Sequence, residues 1–397
     1  MASSIHFDLL LPRRIVFGWG KRREIGPHAK SLGNRAFLID GSRTLRETPL
    51  WNEMIESLQS SGITLHHIAT ATQEPTIEDV DVASERIRIF GPGVGDLIIG
   101  IGGGAALDLA KAVAAMATNT AGGSVRSYLE GIGTGITLTE NPLPILAVPT
   151  TSGTGSEATK NAVISCNDPP CKKSLRSDKL MPEIALVDPE LTVSLPPEQT
   201  AWSGMDAITQ LLEAYFTRKA QPATDAWCDM GLKMGLGSIL NAYHTPRDQR
   251  AREEMSAAAL LSGMALANSG LGMAHGVAAA LGSICNVPHG LACAVMLPIA
   301  LKVNRKEIAE KAEELKFFWK LTKDSRKIDP QTSAIDVLEL QIATILKMLK
   351  IPTRLRDLGV KREQIPELVT GSRGNSMNGN PRTLSDEELT AILEEHW

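Results

Sequence analysis

Cysteine is scarce in this chain: five residues, an odd number, with no Cys-x-x-Cys pair. Cys166, Cys171, Cys228, Cys285 and Cys293 therefore suggest neither a disulfide framework nor a thiolate zinc site, and read as ordinary buried or surface thiols. Excess charge is also missing. A formal net charge of −4 gives no electrostatic basis for binding nucleic acid. Long apolar runs are absent as well. The Ala-rich stretch 105–117 is interrupted by Asp108 and Lys111, too early for a membrane span. Residues 1–11 lack the basic flank and apolar core of a signal peptide. The expectation is a cytoplasmic protein with no membrane and no nucleic-acid partner. Aromatics make up only 4% while there are 34 glycines, a mix that suits α/β layers joined by Gly-rich turns.

A chain of 397 residues is too long for one ordinary core, so two domains are expected. In the first half, short apolar runs alternate with helical patterns. Residues 35–40 (RAFLID), 64–67, 96–100 (DLIIG) and 144–148 (PILAV) read as strands, and 48–60, 77–90 and 105–117 as helices. That rhythm predicts a parallel sheet with crossover helices. After Leu195-Pro196-Pro197 the strand signals stop. Helices are predicted over 201–217, 224–241, 250–270, 276–283, 295–301, 308–321, 335–349 and 385–396, with a polar loop at 373–381. The expected division is an α/β nucleotide-binding domain over 1–197 and an all-helical domain over 198–397, with the site in the cleft between them.

Two loops carry chemistry in the first half. Gly102, Gly103 and Gly104 lead from a strand straight into a helix. Such a turn lets backbone approach a pyrophosphate, and the helix start offers unpaired N–H groups. The spacing is not that of the common dinucleotide fingerprint, and a tight structural turn explains a glycine cluster equally well. The second loop, 148–157 (VPTTSGTGSE), also follows a strand. Its hydroxyls face phosphate or ribose, or Ser152 and Ser156 cap a helix. Two such loops on one sheet edge favour a nucleotide. At the ribose corner either Asp40 holds a 2′-hydroxyl, or Gly41 leaves room and Ser42 and Arg43 meet a 2′-phosphate.

The helical half holds a different pattern. Asp206 and Gln210 lie four residues apart on one helix face. His275 and His289 each stand before a glycine in an apolar segment, two of only eight histidines. Buried imidazoles need partners. An O,O,N,N set suits Fe2+ or Zn2+ with a position open to a substrate oxygen; core or capping histidines are the plain alternative.

At these residues the chain resembles the group III, iron-containing alcohol dehydrogenases over essentially its whole length. The stretches that carry the resemblance are 102–111 (GGGAALDLAK), 149–157 (PTTSGTGSE), 187–192 (VDPELT), 204–206, 270–276 (GLGMAHG), 287–298 (VPHGLACAVMLP) and Asn380-Pro381-Arg382. The resemblance implies a Rossmann-like parallel-sheet domain followed by a helical domain, of dehydroquinate synthase type, and a homodimer or larger homo-oligomer. It implies a divalent metal at Asp206, His275 and His289, with Gln210 standing at the fourth ligand position, and Asp206, His275 and His289 as catalytic residues. It also places a dinucleotide at Gly102, Gly103, Gly104, Asp108, Thr150, Thr151 and Thr154, with Lys173 nearby. Three departures stand out. Gln210 replaces the family's usual histidine, Ala279 replaces a second histidine found in many members, and Ala105 replaces a serine after the glycines. Members that prefer NAD tend to carry Asp where this chain has Gly41, so NADP(H) is expected over NAD(H).

The expected reaction is hydride transfer between a nicotinamide and a small alcohol, aldehyde or ketone, with the ion as Lewis acid. No side chain is identified as general acid; water or the ribose hydroxyls relay the proton. The rivals are a glycerol-dehydrogenase-type enzyme of the same fold and a metal-poor nucleotide-binding homologue degenerate at Gln210.

Overall fold

The structure, a computed structural model, describes residues 7–41, 44–168, 170–315 and 332–397. In its first half the strands are β1 (Arg14–Phe17), β2 (Arg35–Asp40), β3 (Thr64–Thr70), β4 (Asp96–Gly102), β5 (Ile145–Pro149), β6 (Asn161–Asn167), β7 (Pro170–Arg176) and β8 (Ile184–Val187). Six of them form one sheet in the order β1-β8-β5-β4-β2-β3, with every pairing parallel. Both faces are covered, which is why the central strands read as continuous apolar runs. Ala36 and Leu38 of β2 pack with Ile25, Met54 and Leu58 from α1 (Ile25–Lys30) and α2 (Pro49–Ser60). Phe37 and Ile39, one residue out of phase, pack with Val80, Ile87 and Leu107 from α3 (Ile77–Arg88) and α4 (Gly104–Met116) on the other face. The chain runs outward from β2 to β3, then returns to β4 and continues the opposite way. The strand order therefore reverses between β2 and β4, and ligands of open α/β sheets bind at the carboxyl ends beside such a point.

The expected strands and helices of this half are present, most within a few residues of their expected ends. The start of α3 has a physical cause: Thr76 accepts from the Asp79 N–H at 3.2 Å, and Asp79 accepts from the Thr76 N–H at 2.9 Å. Four strands lie outside the expected set. β1 and β8 have four residues each, too few for a period to show. β6 and β7 form a separate antiparallel hairpin. Its β7 strand, Pro-Cys-Lys-Lys-Ser-Leu-Arg, is polar because its chief contribution to the core is Leu175, beside Ala162 and Ile164 of β6.

Among the described residues, no strand follows Val187. Helices α5 (Pro197–Phe216), α6 (Pro222–His244), α7 (Gln249–Asn268), α8 (Met273–Cys285), α9 (His289–Ala312), α10 (Ala334–Met348), α11 (Ile365–Gly371), α12 (Asn375–Asn378) and α13 (Asp386–Glu395) build the second half around one large apolar cluster. The helices expected at 295–301 and 308–321 are corrected to the single α9, although the second one's expected end, beyond 315, lies outside the described residues. The polar stretch between them stays helical because Asn304 is buried. It donates to the Ala300 carbonyl at 2.9 Å and exchanges hydrogen bonds with Asn380 at 3.0 and 2.8 Å. The loop expected at 373–381 contains the short α12. No single helix among the described residues is long and apolar enough to cross a membrane.

The 187–192 stretch turns out to be a buried ionic tie. Arg22 is 0% exposed and binds Asp188 at 2.9 Å, Glu190 at 2.5 Å and Glu53 at 2.8 Å. Asp188 also accepts from the Gly20, Arg22 and Glu190 N–H groups, each at 3.0 Å. Replacing Arg22 with Met leaves this carboxylate without its cation. The expected cost is about 3–5 kcal/mol, measured as a lower urea midpoint; an unchanged midpoint contradicts the assignment.

Candidate active site

Strands β2, β4 and β5 end side by side, and three loops leave that edge together. The Gly41 N–H donates to the Ile101 carbonyl at 3.0 Å, and the Thr150 N–H to the Gly102 carbonyl at 2.9 Å. Contact between the loops is close enough to exclude side chains. A Cβ at Gly104 would meet Thr154 Cγ2 at 2.7 Å, and one at Gly41 would meet Ala106 Cβ at 2.6 Å. Helix α4 starts here with Gly103 as its N-cap, no capping side chain and no acidic residue in its first turn. Its first amides are left for a ligand, and Gly104 and Ala105 line a cleft of about 650 Å³ between the two halves. An uncapped helix start at a sheet's reversal point fits the pyrophosphate of a dinucleotide.

The residues linked to the nucleotide by resemblance divide into two groups. Thr154, Asp108 and Lys173 line the cleft with Gly104, whereas Gly102 and Gly103 are not among its lining residues. Asp108 holds the site together: it accepts from Ser156 Oγ at 2.5 Å and the Val163 N–H at 2.9 Å, and pairs with Lys111 at 3.2 Å. Lys111 is 1% exposed and donates to the Ser156 carbonyl at 3.0 Å and Thr159 Oγ1 at 2.9 Å. The pair thus fastens α4 to the threonine loop and the hairpin. Lys173 has no ion-pair partner among the described residues, whereas its neighbour Lys172 is paired with Glu74. Thr150 and Thr151 are not among the residues lining the cleft; Thr150 is 4% exposed and Thr151 packs over Gly103.

Asp40 is likewise withheld. It is 1% exposed, and its carboxylate is bound by Arg46 Nε and by Arg46 Nη2 at 2.8 Å, with Thr70 Oγ1 at 2.8 Å and His67 Nε2 at 3.1 Å. Burial alone would raise its pKa; the hydrogen bonds from Arg46, Thr70 and His67 outweigh burial and hold it below the ordinary carboxylate range. Ser42 and Arg43 lie outside the described residues.

Across the cleft, α5 carries Asp206, Gln210 and Glu213 along one face. His275 comes from the first turn of α8, and His289 opens α9. His275 Nε2 lies 3.3 Å from Asp206 Oδ1, and His289 Nε2 lies 3.7 Å from the same atom. Close packing brings them there, as the flanking glycines suggest. A Cβ at Gly290 would stand 2.4 Å from the Trp202 carbonyl of α5. Gln210 donates through Nε2 to the Thr154 carbonyl at 3.2 Å and to Ser262 Oγ at 2.8 Å. A carbonyl oxygen needs a donor, so the amide orientation follows, and Oε1 accepts no hydrogen bond among the described residues.

Two members of this site were not expected. Glu213 accepts from His275 Nδ1 at 2.7 Å and from the Ala274 and His275 N–H groups at 2.6 and 3.2 Å. It neutralises the start of α8 and fixes the imidazole at once. The available signal was its spacing, seven residues after Asp206 on the same helix face. Cys293, one turn after His289, places Sγ 3.6 Å from His289 Nε2. Ligand atoms of Asp206, His275, His289 and Cys293 all lie within 4.8 Å of one another.

The electrostatics suit a cation. Burial raises the pKa of Asp206, but His289, His275 and Cys293 outweigh it and hold the carboxyl below its usual range. Burial works against protonating His289, yet Cys293 and Asp206 push its pKa up to about 9. Burial also opposes the proton on His275, and Cys293, Asp206 and Glu213 raise its pKa well above the ordinary value. A pocket that draws protons onto imidazole attracts positive charge, so these donors fit a divalent ion.

A glycine turn that fits a dinucleotide, facing one buried and one half-buried imidazole and a buried carboxylate, suits enzymes that pass a hydride between nicotinamide and an ion-polarised carbon–oxygen bond. Comparison with known proteins narrows the class. Residues 12–189 match the family described as iron-containing alcohol dehydrogenase, and residues 200–397 match the C-terminal part of the Fe-containing alcohol dehydrogenase family. The chain is 31% identical to a sulfoacetaldehyde reductase of Bilophila wadsworthia, with 99% of each covered. It is 32% identical to a 1,3-propanediol dehydrogenase of Citrobacter freundii, with 98% of each covered. Its fold matches the solved alcohol dehydrogenase from Oenococcus oeni with a TM-score of 0.86 and 29% identity, over 99% of this chain and 100% of that one. The chain belongs to the iron-containing alcohol dehydrogenase family. It is accordingly an oxidoreductase that interconverts an alcohol and a carbonyl compound with a divalent metal and NAD(P).

Gly104→Val tests the cradle. The added side chain meets Thr154 and screens the first α4 amides. The expected result is a KM for the dinucleotide raised by about tenfold or more, equivalent to 1.4 kcal/mol, with metal content unchanged. An unaltered KM contradicts the placement.

Proposed function

We propose that the chain interconverts a small alcohol and its aldehyde or ketone with NADP(H) in preference to NAD(H), using Fe2+ or Zn2+ held by Asp206, Gln210, His275 and His289. The observation that carries this reading is the convergence of the Asp206, His275 and His289 donor atoms, within 4.8 Å, in the cleft that Gly104 also lines. When bound, the ion supplies Lewis acidity to the substrate oxygen, and the nicotinamide supplies or accepts the hydride.

The chain's own residues prepare that encounter. Glu213 holds His275 by Nδ1, which leaves Nε2 to face Asp206. Gln210 bridges the two halves, its nitrogen fastened to the threonine loop and its oxygen left as a donor. One turn beyond His275, Ala279 lines the cleft and offers no imidazole, so a proton crossing there uses water or the ribose hydroxyls. The NADP(H) preference is supported by the ribose corner. Asp40 is buried and neutralised by Arg46, and Gly41 has no side chain, so neither repels a 2′-phosphate. We assign nucleotide binding to 1–197 and metal binding to 198–397. Five free thiols suit a reducing compartment, and we place the protein in the cytoplasm. Family resemblance supports a homodimer or larger homo-oligomer.

The test is turnover of an aldehyde panel by Fe2+- or Zn2+-loaded protein. NADPH is expected to exceed NADH in kcat/KM by about tenfold or more, equivalent to 1.4 kcal/mol; the reverse ratio contradicts the cofactor assignment, and no turnover with either metal contradicts the reaction. Asp206→Ala is expected to lose the metal and roughly a thousandfold or more in kcat/KM, several kcal/mol of transition-state stabilisation. Glu213→Gln is expected to weaken metal binding by about 10–100-fold. Full metal content and activity in either variant contradicts the cage.

A further inference from the structure

We propose that Cys293 is itself a ligand of the ion, a soft donor in a cage whose usual fourth imidazole is replaced by Gln210. The proposal rests on the metal-dependent reading above and extends it to a residue with no place in that reading. Its basis is geometric. Metal bonds of about 2.0–2.3 Å put neighbouring N, O and S donors about 2.9–3.8 Å apart at a four- or five-coordinate centre. The observed separations are 3.3 Å for His275 Nε2 to Asp206 Oδ1, 3.7 Å for His289 Nε2 to Asp206 Oδ1 and 3.6 Å for His289 Nε2 to Cys293 Sγ. Ordinary packing of a small apolar residue does not require such edges. The four donors share one 4.8 Å neighbourhood, which makes Cys293 a corner of the polyhedron rather than a bystander.

The local sequence explains how it arrives there. His289 and Cys293 are one turn apart on α9, so their side chains lie on one face. Cys293 is 0% exposed, and its sulfur shares the neighbourhood of the Asp206, His275 and His289 donor atoms. An amide oxygen is a hard, weak donor and a thiolate a strong, soft one. With Cys293 as ligand, the site selects Zn2+ or Fe2+ over Mg2+ and retains its ion despite the loss of a histidine. A second negative ligand also lowers the net charge of the loaded site, so the bound ion is a milder Lewis acid than one held by a single carboxylate.

Cobalt substitution reads the ligand directly. Metal-free full-length protein is titrated with Co2+, and its visible and near-ultraviolet absorption is recorded. Supporting results are a sulfur-to-cobalt charge-transfer band that saturates at one equivalent, disappears in Cys293→Ser, and survives in Gln210→Ala and in the control Cys171→Ser. Cys293→Ser is expected to bind Zn2+ more weakly by about tenfold or more in chelator competition, at least the effect of losing a residue that only orients a ligand. X-ray absorption of the zinc-loaded wild type needs no variant and is expected to show one sulfur scatterer at about 2.3 Å. Visible cobalt bands without the charge-transfer band, or zinc with only nitrogen and oxygen neighbours, overturn the Cys293 assignment and leave the remaining cage intact. Failure of the wild type to bind either metal overturns the cage and Cys293 together.

Discussion

A carboxylate buried in the middle of a helix sets the terms for the rest of the cleft. Asp206 is 2% exposed, halfway along α5. An ionised group so placed costs several kcal/mol unless positive charge or hydrogen-bond donors reach it. Here α8 and α9 bring their first turns to it, each with an imidazole, and α9 adds a thiol. Glu213, two turns further along α5, accepts from His275 on the opposite ring nitrogen. His275 is thereby held between two carboxylates, and its orientation is fixed before any ligand arrives.

The same helix reaches the nucleotide side. Gln210 is bonded to the Thr154 carbonyl, and Thr154 in turn fills the space over Gly104. Helix α7 closes against the same loop, where a Cβ at Gly263 would stand 2.2 Å from the Gly155 carbonyl. The cage and the glycine turn are thus parts of one packed unit. The Asp108–Lys111 pair adds the hairpin to it, and the hairpin brings Lys173 into the cleft. The amide nitrogen of Gln210 ties that loop, and its oxygen is left without a hydrogen bond among the described residues.

The parts legible in the sequence share a physical trait: their signal is local. Buried parallel strands and the turn at Gly102–Gly104 announce themselves in consecutive residues, and Asp206 and Gln210 do so at helical spacing. The short strands β1 and β8 have too few residues to show a period, and β7 of the hairpin is polar because it gives the core little beyond Leu175. Cys293 follows the same rule. As one of five scattered thiols it looks inert, and it gains a role only because α9 delivers it with His289 to a carboxylate on α5. Asp40 shows the converse. Its position at the end of β2 suits a ribose, but Arg46, six residues on, occupies the carboxylate first. Asn380 and Asp188, in stretches that resemble the family, prove to be structural ties rather than ligand contacts.

The proposed arrangement places a single ion between α5, α8 and α9, facing a dinucleotide on the α4 start. Anomalous scattering from crystals grown with NADP(H) and Zn2+ or Fe2+ locates that ion without reference to activity. The expected result is one dominant peak, about 2.0–2.3 Å from donor atoms of Asp206, His275 and His289, on the cleft side of α5. A peak elsewhere, or none beside those three residues in crystals that hold the dinucleotide, contradicts it.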